Sequence, residues 1–153
     1  MKKSLIALID SYDDSIISLG LKRIPVSLSG EIKFEGGGWV LVFMTDRYYS
    51  DGLVINLIDV GAKEYSLSIL KEAVKEFESD SVAILREQST DYPMFAEIRD
   101  DNLEGVEATL IDLIKFLVEK FTLIKKNQRK IDSIYDTLAN KKLREIGLRF
   151  VGE

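Results

Sequence analysis

Three stretches of this chain carry residue types and spacings that can do chemistry. Gly36-Gly37-Gly38 is the first. A phosphate cradle needs a Gly-rich loop between a strand and a helix N-terminus, whose amides and dipole hold the anion. Here the glycines precede Trp39 and a strand-like run, and no Gly-Lys-Ser/Thr follows. The stretch reads as a turn or bulge. Asp100-Asp101-Asn102-Leu103-Glu104-Gly105 is the second. It begins like a calcium loop, with oxygen-bearing side chains at positions 1, 3 and 5 and glycine at 6. The twelfth position is Ile111, where a bidentate glutamate is required, and a helical apolar pattern already starts at Leu103. Helix capping accounts for these residues better.

The third stretch, Asp46-Arg47-Tyr48-Tyr49-Ser50-Asp51, points to binding rather than catalysis. Two adjacent tyrosines between charged residues must send at least one ring toward solvent. Tyr and Arg carry much of the binding energy in interfaces, because they join a large contact area to hydrogen bonds. Arg47, Tyr48, Tyr49 and Asp51 are therefore the candidate binding residues. The plainer alternative folds one tyrosine under the loop and leaves the other merely amphipathic.

Two absences narrow the chemistry further. The chain has no cysteine and no histidine. That removes disulfides, thiolate or imidazole zinc sites, and nucleophiles activated by histidine. An enzyme built from this sequence would rely on carboxylates, lysine, tyrosine or carboxylate-held magnesium. The acidic pairs Asp13-Asp14 and Asp100-Asp101, and the cluster Glu76, Glu78 and Asp80, suit helix ends and solvent. No catalytic residue, metal ligand or cofactor site is assigned.

Charge is distributed unevenly. Residues 1–114 hold 11 Lys and Arg against 21 Asp and Glu, whereas residues 115–153 hold 10 against 5. The basic part includes Lys125, Lys126, Arg129 and Lys130, then Lys141, Lys142 and Arg144. A basic segment folding back onto an acidic body explains this without a partner; a charged face meeting a partner of opposite sign is the sharper reading. The overall charge of −5 and the lack of interleaved aromatics argue against nucleic acid. The most hydrophobic segment, Leu110 to Ile124, contains Asp112, Lys115, Glu119 and Lys120 and cannot span a bilayer. A cytoplasmic protein with no membrane partner is expected.

The elements that must position these residues are legible in outline. Trp39-Val40-Leu41-Val42-Phe43-Met44-Thr45 is a continuous apolar run, as expected of a strand at the centre of a sheet or covered on both faces. Leu53 to Val60 is a second such run, and Asp46 to Gly52 joins the two as a hairpin. Glu31 to Glu35 alternates as a strand, and Arg23 to Leu28 looks extended. Residues 4–19 have helical spacing stopped by Gly20, with a short strand over Leu5 to Ile9 as the competing reading. Ser66 to Glu78 is an amphipathic helix whose stripe is Leu67, Leu70, Val74 and Phe77, with Lys71, Glu72, Lys75 and Glu76 outside it. Val82 to Arg86 and Met94 to Arg99 read as further strands. A long helix opens at Asp101-Asn102, with Phe116 and Leu123 lying opposite its main stripe. Run on to Ala139 it would be roughly 55 Å long, so a break is expected near Asn127. Ile131, Ile134, Tyr135 and Leu138 then form the inner face of a returning helix.

The expected fold is α+β: a largely antiparallel sheet of about five to six strands, packed by amphipathic helices, with a helical C-terminal third. One domain is expected, with an acidic body over 1–126 and a basic helical segment over 127–153. The leading functional expectation is a small acidic intracellular protein that binds another protein. Inhibitor, immunity, antitoxin or counter-defence factors are of this type. The alternatives are a carboxylate-based enzyme or small-ligand binder with a pocket between sheet and helices, and a structural subunit forming homo-oligomers through its C-terminal helices.

Overall fold

The computed structural model describes residues 3–25, 30–45, 53–79 and 103–145. The expected strands at 82–86 and 94–99 lie outside these. The described chain is α+β, as expected. Its elements are α1 (Lys3–Ser11), α2 (Asp13–Ile17), β1 (Lys22–Ile24), β2 (Glu31–Gly36), β3 (Trp39–Thr45), β4 (Leu53–Ile58), β5 (Glu64–Ser66), α3 (Leu67–Glu78), α4 (Leu103–Lys126) and α5 (Gln128–Glu145). The chain divides into two compact units. One holds residues 1–67 and 95–119, the other 68–94 and 120–153. They are called here the sheet unit and the helical unit.

In the sheet unit, five antiparallel strands follow one another in the order β1-β2-β3-β4-β5. Period-2 geometry divides their side chains between two faces. On one face Ile32 is paired with Phe43, Phe34 with Leu41, Leu41 with Leu57, Phe43 with Ile55 and Leu57 with Tyr65. All of these are buried. The Phe34 and Phe43 rings meet edge to face at 6.2 Å. The other face mixes Glu31, Lys33 and Glu35 with Val40, Val42, Met44, Val54, Asn56 and Ile58. Val42 is buried there, and Val40 and Met44 are half-buried. β3 therefore reads as a continuous apolar run because it is central and loses solvent on both faces. β4 alternates instead between buried Leu53, Ile55 and Leu57 and half-buried Val54, Asn56 and Ile58.

The triple glycine has a backbone role throughout. Gly37 and Gly38 form a two-residue turn between the paired Gly36 and Trp39, with φ of 59° and 85°. Positive φ at both central residues matches the twist of a hairpin. Gly36 ends β2, where a Cβ would fall 1.8 Å from the Gly20 carbonyl oxygen. The β4–β5 connection is built on Asp59. Its backbone N–H donates to the Lys63 carbonyl at 2.9 Å, its Oδ1 accepts from the Lys63 N–H at 2.9 Å, and its Oδ2 accepts from the Tyr65 hydroxyl at 3.3 Å.

The single helix expected over 4–19 is two helices broken at Tyr12. The Ser11 hydroxyl donates to the Leu8 carbonyl at 2.6 Å, a local bond that competes with the helical ladder. Asp13 and Asp14 then begin α2, where acids suit the helix dipole. Gly20, at φ 87°, ends the segment as expected. Arg23 of β1 pairs with Asp10 and lies 3.8 Å from Asp13, with its guanidinium 5.9 Å from the Phe34 ring. These contacts link the N-terminal helices to the sheet through partly exposed side chains.

The helical unit contains α3 from Ser68, the end of α4 and all of α5. The break near Asn127 is present and is one residue long. The Asn127 N–H still donates to the Leu123 carbonyl at 3.0 Å, and the Ile131 N–H to the Asn127 carbonyl at 3.1 Å. Phe121, Ile124, Ile131, Tyr135 and Leu138 are buried, while Leu123 and Ile134 are half-buried. Earlier on α4, in the sheet unit, Phe116 is buried along with Leu110, Leu113, Ile114 and Leu117. α4 is apolar on more than one side there, as its sequence implies.

Candidate functional site

Arg47, Tyr48, Tyr49 and Asp51 lie outside the described residues. Their attachment points are described. The β3–β4 ladder runs from Val40↔Ile58 to Thr45↔Leu53, so both ends of the seven-residue connection start from paired residues at the centre of the sheet. Leu53 and Phe43 are fully buried beside those ends.

The charged residues described in the helical unit include an exposed set and a buried set. The first is exposed. Lys125, Lys126, Arg129 and Lys130 flank the Asn127 break, and all four are solvent-exposed. The Lys125 ammonium lies 4.4 Å from the Phe121 ring centroid. Among the described residues no acid pairs with Lys126, Arg129 or Lys130. Lys125 with Arg129, and Lys126 with Lys130, stand four residues apart across the Asn127 break, a spacing that sets like charges side by side. No acid occupies the first turn of α5. The Asn127 amide Nδ2 donates to the Leu123 carbonyl at 3.1 Å.

The second cluster is buried. Glu76 is 1% exposed, Lys142 2% and Glu72 7%. The expectation that Glu72 and Glu76 fall outside the α3 stripe is corrected here: both are buried, whereas Phe77 is half-buried. Charged groups leave water only when other charges or hydrogen bonds compensate them. Two carboxylates and one ammonium in one small unit supply both signs. Sequence patterns held a signal for this. Lys142 continues the spacing of Ile131, Tyr135 and Leu138, and Glu72 and Glu76 follow Ile69, an apolar residue off the main α3 stripe, at helical spacing.

The seven basic residues that look like one patch in the sequence thus separate. Lys125, Lys126, Arg129 and Lys130 face solvent, while Lys142 is buried and Lys141 and Arg144 have partners within the protein. The segment from Asp100, considered for calcium, is helical from Leu103, inside what would have been the loop. Among the described residues no three His, Cys, Asp or Glu side chains are grouped to hold a metal ion. Among the same residues no helix is long and apolar enough to cross a membrane. No protein-family model, characterised protein or solved structure matches this chain.

Proposed function

We propose that the chain is a non-catalytic protein-binding factor of the inhibitor type, akin to immunity, antitoxin or counter-defence proteins, acting in the cytoplasm. Its recognition element is the segment Arg47, Tyr48, Tyr49 and Asp51. The observation that carries this reading is the anchoring of both ends of that segment on the paired, central strands β3 and β4. Tyrosine and arginine on such a base offer contact area at low entropic cost. The charge of the sheet unit supports a basic partner. Its residues include 16 Asp and Glu against 9 Lys and Arg, a balance that steers a positively charged surface toward it.

The test compares tagged wild type with Tyr48→Ala/Tyr49→Ala in affinity capture from the native cell, followed by titration of the purified captured protein. The double variant should bind at least ~30-fold more weakly, since hot-spot truncation removes about 2 kcal/mol or more, and its melting temperature should be unchanged. Equal affinity for both proteins would remove these residues from the recognition surface.

A further inference from the structure

We infer that the α4–α5 junction is a docking surface for an acidic segment of a protein partner. The inference extends the protein-binding reading to a second surface and uses none of the residues in 46–52. Four cations stand within six residues, exposed, and Lys126, Arg129 and Lys130 have no acid beside them among the described residues. Such crowding is unfavourable for the isolated chain. Like charges four residues apart on a helix repel one another, as Lys125 does Arg129 and Lys126 does Lys130. Stability therefore gives no reason for the arrangement. An approaching anionic group relieves that repulsion.

Three anionic partners can be distinguished by what surrounds the junction. Single-stranded nucleic acid is held by aromatic rings exposed for stacking, but Phe121 and Tyr135, the aromatics nearest in sequence, are buried. A duplex extends far beyond the ~9 Å of helix axis that six residues cover. Farther along α5 it would meet Asp132 and the exposed Asp136. A membrane surface takes amphipathic helices by their apolar face. The apolar face of α5, formed by Ile131, Tyr135 and Leu138, is already buried. A short run of Asp and Glu side chains on a protein fits both the size of the patch and its lack of aromatic or apolar exposure. Charge pairing of this kind sets specificity and association rate.

The probe is a fluorescent peptide of twelve glutamates, titrated by anisotropy with the full chain at low ionic strength. We expect binding that weakens about tenfold in Lys126→Gln/Arg129→Gln/Lys130→Gln, as three exposed charge pairs would give. Binding should persist in Lys141→Gln/Arg144→Gln. It should also persist in Tyr48→Ala/Tyr49→Ala, which separates this surface from the proposed recognition segment. All four cations are exposed, so the triple variant should fold, which circular dichroism checks; single substitutions, each weakening binding about twofold, serve equally. Absence of binding, or equal binding by the triple variant, overturns the inference. So does tighter binding of an oligonucleotide of equal charge, or of phosphatidylserine vesicles, either of which would make the partner a phosphate-bearing one.

Discussion

The sheet unit and the helical unit bury different kinds of side chain. Among the described residues, four polar or charged side chains are buried: Ser68, Glu72, Glu76 and Lys142. All four belong to the helical unit. The sheet unit buries apolar side chains and Tyr65, whose hydroxyl is bound by Asp59. Net charge differs as well. The sheet unit has an excess of 7 acids, whereas the helical unit holds 12 Lys and Arg against 10 Asp and Glu. Among the described residues the more acidic unit has no buried acid, whereas the nearly balanced unit takes charge inside. Apolar burial stabilises the first without electrostatic compensation. The second buries charges of both signs.

The sharpest way to break this contrast is in the sheet. Phe43 is completely buried at its centre, and Phe43→Ala should lower stability by about 3–5 kcal/mol, read by urea denaturation. A loss below ~1 kcal/mol would mean that the sheet is not held by its apolar face. In the helical unit the corresponding probe is Lys142→Met, which keeps the length and removes the charge. Breaking a buried charge pair costs about 3–5 kcal/mol when the remaining charge is stranded. We expect about 3 kcal/mol here, because Lys142 is buried and the groups it interacts with would lose its charge. A methionine variant as stable as wild type would make the helical core apolar in effect and erase the difference between the units. The smallest effect belongs to the ion pair of Lys120 and Glu78 at 2.8 Å, whose side chains are 33% and 40% exposed. Solvent and salt screen such a pair, so Lys120→Ala should cost only about 0.5 kcal/mol by thermal melting. A loss several times larger would show that surface charge also holds the helical unit.

What could be read in advance follows the same division. The β2–β3–β4 meander is legible because continuous or alternating apolar runs are bracketed by glycine turns, and the Gly37-Gly38 turn lies where the sequence places it. β5 is not legible: Glu64-Tyr65-Ser66 is three residues long with one apolar side chain, too little for a period to show. The break at Tyr12 is equally hidden. Apolar spacing runs straight through it, and the local Ser11 hydroxyl bond beside it leaves no mark on hydropathy. In the helical unit, pattern reading identifies Ile131, Tyr135 and Leu138 but assigns the charged residues to solvent. That assumption fails for Glu72, Glu76 and Lys142, because a few buried charges leave only a faint mark on local hydropathy. The separation of the basic residues into exposed and engaged groups is hidden for the same reason.

The strand order has a consequence for how the chain reaches this state. Every strand from β1 to β5 pairs with its neighbour in sequence, and the connections between them are short. The longest joining β3 to β4 is residues 46–52, seven in all. The helical unit must instead bring residues up to Glu78 together with those from Lys120 onward, across 41 intervening residues. Loop-closure entropy rises by about 0.6 kcal/mol for each doubling of length, so this closure costs about 1.5 kcal/mol more than that of the hairpin. Local pairing is also the faster kind. During synthesis the meander is complete once Ser66 has emerged, whereas α3 must wait for α5 before Glu72 and Glu76 share a compact unit with Lys142.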